Sequence, residues 1–417
     1  MTTGSDINRK KYHMEKQHPI KRILLYTHNV TGLGHAFRSL AVIKGIRKWR
    51  PDIDFLVMSG SSIPHIFLEE NIEVLKLPGI KMALGEKTSL KPRYLKSTNI
   101  NHIFDYRQKL IIDTFDFFKP HVLMVEHNMS GLMNEIVPLL LKKSLRSGSA
   151  EDFLLVHLSR GILKGHTKIK APCNNSFHGA GSLNISRLYD LIYVLEAPEL
   201  VDFNREFLEN DPFLDEKIRY VGPVSNISPG ELSEKKKENK PVILINLSRH
   251  GRVLEMTDHF MHSMRRTGLI NTHKVVILLD PYLDSEKEHA ITSSPLCRDA
   301  VFLTFTPHFA DLINNSEMII CRAGYNTVNE VLITGTKALI IPEYHMSGEQ
   351  ERRVKNIPSD NITVKTEDEI LGNDPGPIIL ELLERKKKPV LFTADKYDAG
   401  RKIIQEMEAL SRNMFGH

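Results

Sequence analysis

Short apolar runs rich in β-branched residues alternate with longer helix-compatible stretches along most of the chain, a pattern that builds parallel sheets from βα units. The runs fall into two groups. The first covers residues 23–27, 55–58, 74–75, 122–125, 153–156, 191–194 and 218–221. The second covers 242–245, 275–279, 301–303, 318–320, 338–341 and, more weakly, 362–364. Each group suffices for one doubly wound sheet, so the expected fold is α/β with two domains, in keeping with a length of 417 residues. The expected organisation is a polar tail over 1–20, a first domain over 21–225, a linker over 226–240, a second domain over 241–392 and a C-terminal helix over 393–417 that could pack back on the first domain. The linker reads NISPGELSEKKKENK, whose Pro-Gly pair and Lys235, Lys236 and Lys237 suit an exposed, soluble connection. Residues 161–182 form a loop too long for an ordinary connection and are candidates for a substrate-facing segment.

Charge and cysteine content narrow the function. Lys and Arg number 56 against 51 Asp and Glu, a net charge of +5 spread thinly over the chain, which argues for small anionic ligands over nucleic acid. Cys173, Cys297 and Cys321 are too scattered for a disulfide framework or a zinc site, so a reducing, cytoplasmic location is expected. The first twenty residues carry no apolar signal region, and no apolar run approaches the roughly 18 residues of a membrane span. Peripheral contact at the inner face of a membrane is the furthest membrane role left open.

The first strand leads directly into Gly32-Leu33-Gly34-His35 and then a helix with Phe37, Leu40, Ala41, Ile43 and Ile46 at helical spacing. Ligands of open parallel sheets collect at the carboxyl ends of strands, where glycines admit a close backbone and a helix N-terminus favours an anion. The spacing is not the dinucleotide fingerprint, because Arg38 stands near the place of the third glycine and no ribose-binding acid follows about 20 residues later. His35 at such a mouth can serve as a general base near neutral pH.

In the second half, Arg322-Ala323-Gly324-Tyr325-Asn326-Thr327-Val328-Asn329-Glu330 follows a strand and opens a helix that Asn326 or Thr327 can cap. Gly324 permits a tight turn, and Glu330 one turn into the helix can accept hydrogen bonds from ribose hydroxyls. A strand from Gly335 to Pro342 and then Glu349-Gln350 come next, with Gln350 able both to donate and to accept.

This R-x-G-x-x-T-V-x-E pattern, followed by the strand and the Glu-Gln pair, resembles the donor-binding half of GT-B glycosyltransferases of family 28, which includes the N-acetylglucosaminyltransferase of lipid II synthesis. The Gly32–His35 turn is similar to that family's N-terminal loop and to the GLGH turn of a bacterial group of predicted glycosyltransferases. Val125-Glu126-His127 resembles an acid-His pair of that group. The resemblance implies two Rossmann-like domains facing a cleft, with acceptor on the first and nucleotide sugar on the second. It implies inverting, metal-independent transfer of a sugar, most simply from a UDP-sugar, to a hydroxyl acceptor, with no cofactor beyond the co-substrate. His35, or failing that Glu126 or His127, would take the acceptor proton, with Gly32, Gly34 and Arg38 on the acceptor-side loop. Ser248, Arg249, Phe305, Arg322, Gly324, Asn326, Thr327, Glu330, Glu349 and Gln350 would form the donor site. One departure stands out: Asn246-Leu247-Ser248-Arg249-His250-Gly251 replaces the family's usual Gly-Gly-Ser loop, and Arg249 could supply a charge-assisted bond in its stead.

Alternatives of the same architecture are a nucleotide-sugar hydrolase, in which water replaces the acceptor, and a non-catalytic nucleotide-sugar-binding subunit. Other signals carry less. Asp52-Ile53-Asp54 precedes its strand and so lies at the wrong edge of the sheet for a metal. His166 and His178 lack ligand partners at a recognisable spacing. The apolar segment 132–143, with its basic end, reads as a core helix or a bilayer-touching one.

Overall fold

The computed structural model describes residues 20–28, 30, 32–83, 89–146, 152–162, 184–227, 239–249, 251–343, 348–355, 357, 360–387 and 398–415. The tail over 1–19, most of the 161–182 loop with His166, Cys173 and His178, and most of the expected linker lie outside them.

The first sheet consists of β1 (Arg22–Thr27), β2 (Asp54–Ser59) and β3 (Glu73–Lys76), then, past a small antiparallel hairpin of β4 (Ile80–Ala83) and β5 (Ser89–Pro92), β6 (Val122–Glu126), β7 (Leu154–Ser159), β8 (Leu191–Val194) and β9 (Ile218–Tyr220). All seven sheet strands run parallel in the order β3-β2-β1-β6-β7-β8-β9. The second sheet consists of β10 (Val242–Asn246), β11 (Lys274–Leu278), β12 (Val301–Leu303), β13 (Met318–Cys321), β14 (Lys337–Ile340) and β15 (Ile362–Val364), again parallel, in the order β12-β11-β10-β13-β14-β15. The protein thus has two Rossmann-like doubly wound domains facing a cleft, the GT-B fold. Each apolar run of the sequence becomes a sheet strand within a residue or three of its expected ends. The runs are continuous rather than alternating because helices cover both sheet faces, as the wholly buried β6 and β7 illustrate.

In both sheets the order reverses beside the first strand, β1 next to β6 and β10 next to β13. Ligands gather outside the carboxyl ends of strands at such switch points. The helices that matter there are α1 (Gly34–Arg47), α2 (Tyr325–Thr334) and α3 (Glu349–Val354). A final helix, α4 (Ala399–Phe415), crosses back onto the first domain. Its Ile403, Ile404 and Met407 join the first-domain core, and Gly400 lies so close to Gly45 of α1 that a Cβ would overlap the Gly45 backbone. The segment 132–143 is not one helix: Met133 and Asn134 take positive φ angles of 50° and 66°, and a regular helix begins only at Val137, with Leu139 and Leu140 buried in the core.

Candidate active site in the interdomain cleft

The carboxyl ends of both sheets open on one cleft of about 1380 Å³, lined by residues of both domains. Gly32, Gly34, His35 and Arg38 form part of its first-domain wall. Ser248, Arg249, Phe305, Arg322, Gly324, Asn326, Thr327, Glu330, Glu349 and Gln350 all line the second-domain side. Glu126 and His127 are not on the wall.

They stand behind it. Glu126 ends β6 and is fully buried, with both carboxylate oxygens 2.9 Å from His35 Nδ1. Arg38, one turn further along α1, donates to Glu126 Oε1 through Nη2 at 2.5 Å and Nε at 3.1 Å. Burial acts to raise the Glu126 pKa, but His35 and Arg38 outweigh it and hold the carboxyl well below its usual range. Burial lowers His35 in turn, against the pull of Glu126. A neutral imidazole with Nδ1–H donating to a carboxylate leaves Nε2 as its basic nitrogen. His28 and His127 pack beside it, with ring centroids 5.3 and 4.7 Å from that of His35. Burial and then His35 push His28 down to about 3, and burial with the two neighbouring rings pushes His127 well down. The cluster is an uncharged imidazole bed around one carboxylate–arginine pair.

The opposite wall is unlike it. Glu330 is 5% exposed, its Oε2 has no partner among the described residues, and burial alone raises its pKa to about 8. An unpaired buried carboxyl is costly unless a ligand completes it. It sits on α2, whose N-cap is Gly324; neither Asn326 nor Thr327 caps the helix, and the first turn carries no acid. Helix α1 likewise starts without a side-chain cap or an acid in its first turn. Two helix N-termini with their amides unclaimed by side chains therefore flank the cleft, a setting that favours a negatively charged ligand.

The glycines sharpen this. Gly32 needs its φ of 78°, but Gly324 is extended at φ −63°, so its turn does not require glycine. A Cβ on Gly324 would meet nothing closer than Thr327 Oγ1 at 3.8 Å, and one on Gly34 would meet nothing within 4 Å. Neither the backbone nor the packing accounts for these two glycines.

Other residues expected at a donor site are engaged within the protein. Arg322 donates from Nε to Leu247 O at 3.1 Å and pairs with Glu367 at 2.5 Å, so it braces the turn after β10 from behind. Ser248 in that turn has φ 63°, and Arg249 lies 3.3 Å from Asp280 and over the Tyr282 ring. The Gln350 carbonyl oxygen accepts from Ala323 N at 3.1 Å and Glu343 N at 2.9 Å, tying α3 to the loops after β13 and β14. Phe305 packs edge-on to His65 and near Phe37 of the first domain. Glu349 pairs with Arg160 of the first domain at 2.8 Å and with Arg353 at 3.1 Å. Arg160 directly follows β7 and lines the cleft, yet motif reading passes over it. The available signal was an arginine just past the carboxyl end of a buried strand, in Leu158-Ser159-Arg160-Gly161, the same setting as Arg249 in Leu247-Ser248-Arg249. Among the described residues no three His, Cys, Asp or Glu side chains converge to hold a metal, and no helix is long and apolar enough to cross a membrane.

Residues 255–374 match the model of the glycosyltransferase family 28 C-terminal domain. The second domain is a glycosyltransferase family 28 C-terminal domain. The match spans 120 of the 417 residues and falls within the second domain, and the chain as a whole is similar to known proteins in its GT-B fold. Among solved structures, S. aureus MnaA in a co-structure with UDP aligns at TM-score 0.59 and 11% identity, covering 95% of this chain and 98% of that one. The glycotransferase of kitacinnamycin aligns at 0.55 and 11%, covering 95% and 97%. The spinosyn rhamnosyltransferase SpnG, complexed with spinosyn aglycone, aligns at 0.54 and 13%, covering 94% and 99%. No curated protein shows significant sequence similarity to the chain. Identities this low establish the shared fold, and the family 28 match is confined to the second domain.

Proposed function

We propose that this glycosyltransferase moves a sugar from a UDP-sugar to a hydroxyl acceptor with inversion at the anomeric carbon and without a metal. The observation that carries the reading is Glu330: a buried carboxyl with an unpartnered oxygen, one turn down a helix whose uncapped N-terminus faces the same cleft. Ribose hydroxyls would satisfy that oxygen while the diphosphate meets the amides around Gly324. UDP in the MnaA co-structure supports the choice of base. The cleft of about 1380 Å³ exceeds the roughly 300–1,000 Å³ of a single-ligand pocket, which favours an acceptor beside the donor over hydrolysis by water. Free, buried Cys297 and Cys321 support a reducing, cytoplasmic setting.

In the reaction His35 Nε2 takes the acceptor hydroxyl proton as the oxygen attacks the anomeric carbon. The bond from that carbon to the β-phosphate oxygen breaks on the opposite face, and its electron pair leaves with the diphosphate. Amides at the start of α2, with Arg249, stabilise the departing charge. Glu126 does not touch substrate; it fixes the His35 tautomer and stabilises the imidazolium that forms, while Arg38 keeps Glu126 ionised. UDP release with a panel of UDP-sugars and alcohol acceptors tests the reading. His35→Ala is expected to lower kcat by about 10²–10⁴-fold with donor affinity retained. Full transfer activity in that variant removes His35 as the base.

A further inference from the structure

The donor-side helix α3 does not rest on its own domain alone. Glu349, its first residue, reaches Arg160 of the first domain at 2.8 Å, and Arg353, one turn later, reaches Glu196 of the first domain at 3.3 Å. All four side chains are buried to 15% exposure or less. Tyr325, at the start of α2, joins the same junction. Its hydroxyl donates to Leu195 O at 2.6 Å, and the guanidinium groups of Arg38 and Arg353 each lie over its ring, 5.4 Å from the centroid. Within this packed set Arg160 is the member with an unsatisfied donor. Its Nη2 is used on Glu349, but its Nε is buried without a partner among the described residues, and the residue lines the cleft. Arg160 lines the same cleft as His35, Glu349 and Gln350, and its charge is felt by His35.

Resting on the proposed UDP-sugar reading, we infer that Arg160 is a sugar-binding residue: the first domain completes the donor site, with the Arg160 Nε–H donating to a hydroxyl or ring-substituent oxygen of the transferred sugar while Nη2 holds Glu349. An arginine suits this double duty because its fork presents several donors in fixed directions, whereas a lysine ammonium can meet Glu349 but cannot place a second donor at the Nε position. The nucleotide itself lies against α2 and Glu330 and does not depend on Arg160.

The experiment is calorimetric titration of the full-length protein with UDP and with UDP-glucose, UDP-galactose and UDP-N-acetylglucosamine, in the absence of acceptor. For wild type, Arg160→Lys and Arg160→Gln the quantity read is the ratio of the Kd for the best-bound UDP-sugar to the Kd for UDP. Loss of one charge-assisted hydrogen bond should raise that ratio about tenfold or more in both variants, with UDP affinity within about twofold of wild type. Thermal melting checks the fold, and Arg160→Lys, which keeps a cation for Glu349, serves if Arg160→Gln fails to fold. An unchanged ratio, or equal losses for UDP and UDP-sugar, overturns the role of Arg160 and leaves it a structural tie. Wild-type protein that binds neither UDP nor any of the UDP-sugars overturns the underlying UDP-sugar reading instead.

Discussion

Two buried carboxyls, Glu126 behind the first-domain wall of the cleft and Glu330 on its second-domain side, are in opposite electrostatic states. Glu126 on the first domain is wrapped by His35 and Arg38 and held ionised; Glu330 on the second is buried with an open oxygen and held up to about 8. Burial is similar in the two, so the neighbours decide. The first-domain wall is organised before any ligand arrives, as the proposed base and its support require. The second-domain wall is left incomplete, as a binding surface must be if a ligand is to complete it.

The largest expected effect breaks the organised side. Glu126→Gln strands Arg38 in the core and should cost about 3–5 kcal/mol, the usual penalty for removing one partner of a buried pair. Thermal unfolding would then fall by on the order of 10 °C; a melting temperature within a degree or two of wild type would mean that the pair does not hold this wall. Glu330→Gln should act the other way round, weakening UDP binding by about tenfold or more in calorimetry while leaving the fold intact.

The pH dependence of the two should oppose as well. The folded pKa of Glu330 lies above its ordinary 4.5, so the native state keeps a proton that the unfolded chain releases; stability present below about pH 4.5 is lost as pH rises toward about 8. Glu126 is depressed, so its contribution is present above the unfolded carboxylate pKa and lost as pH falls through the folded value. Because the depressed imidazoles His28, His35 and His127 add stability as pH rises toward about 6.5, the Glu330 share is read as a difference: the melting temperature of ligand-free Glu330→Gln relative to wild type should rise by on the order of 5 °C between pH 5 and pH 8. The smallest effect sharpens the ligand-facing side. Gly324→Ala has room for its Cβ and should leave the melting temperature level or slightly raised, with UDP affinity lowered several-fold. A lowered melting temperature with unchanged UDP affinity would return Gly324 to a purely structural role.

Much of this was legible beforehand because it depends on local pattern. Continuous apolar runs mark buried parallel strands, and glycines after β1 and β13 mark turns at the cleft. The hairpin of β4 and β5 was not legible: Ile80–Ala83 and Ser89–Pro92 are short and mixed in polarity, and they owe their pairing to each other and to contacts such as Ile80 and Leu90 in a small satellite core. The cap expected of Asn326 or Thr327 failed for a related reason. Asn326 Nδ2 points across the cleft toward Gly34 O at 3.4 Å, a partner 292 positions away.

Fold class, two domains and many of the cleft-lining residues follow from the sequence alone, because periodicity and turn chemistry act over a few neighbouring residues. Which of the candidate residues line the cleft and which stand behind its wall was decided only by tertiary structure. Glu126 and Glu330 are the same side chain at the end of a strand and on a helix, and nothing within ten residues of either tells them apart. The difference arises because α1 brings Arg38 and His35 back onto β6 across some ninety positions of chain, while among the described residues no cation is brought to Glu330. Long-range packing sets the local dielectric and the charge partners, and these set protonation, which is what chemistry at the cleft requires.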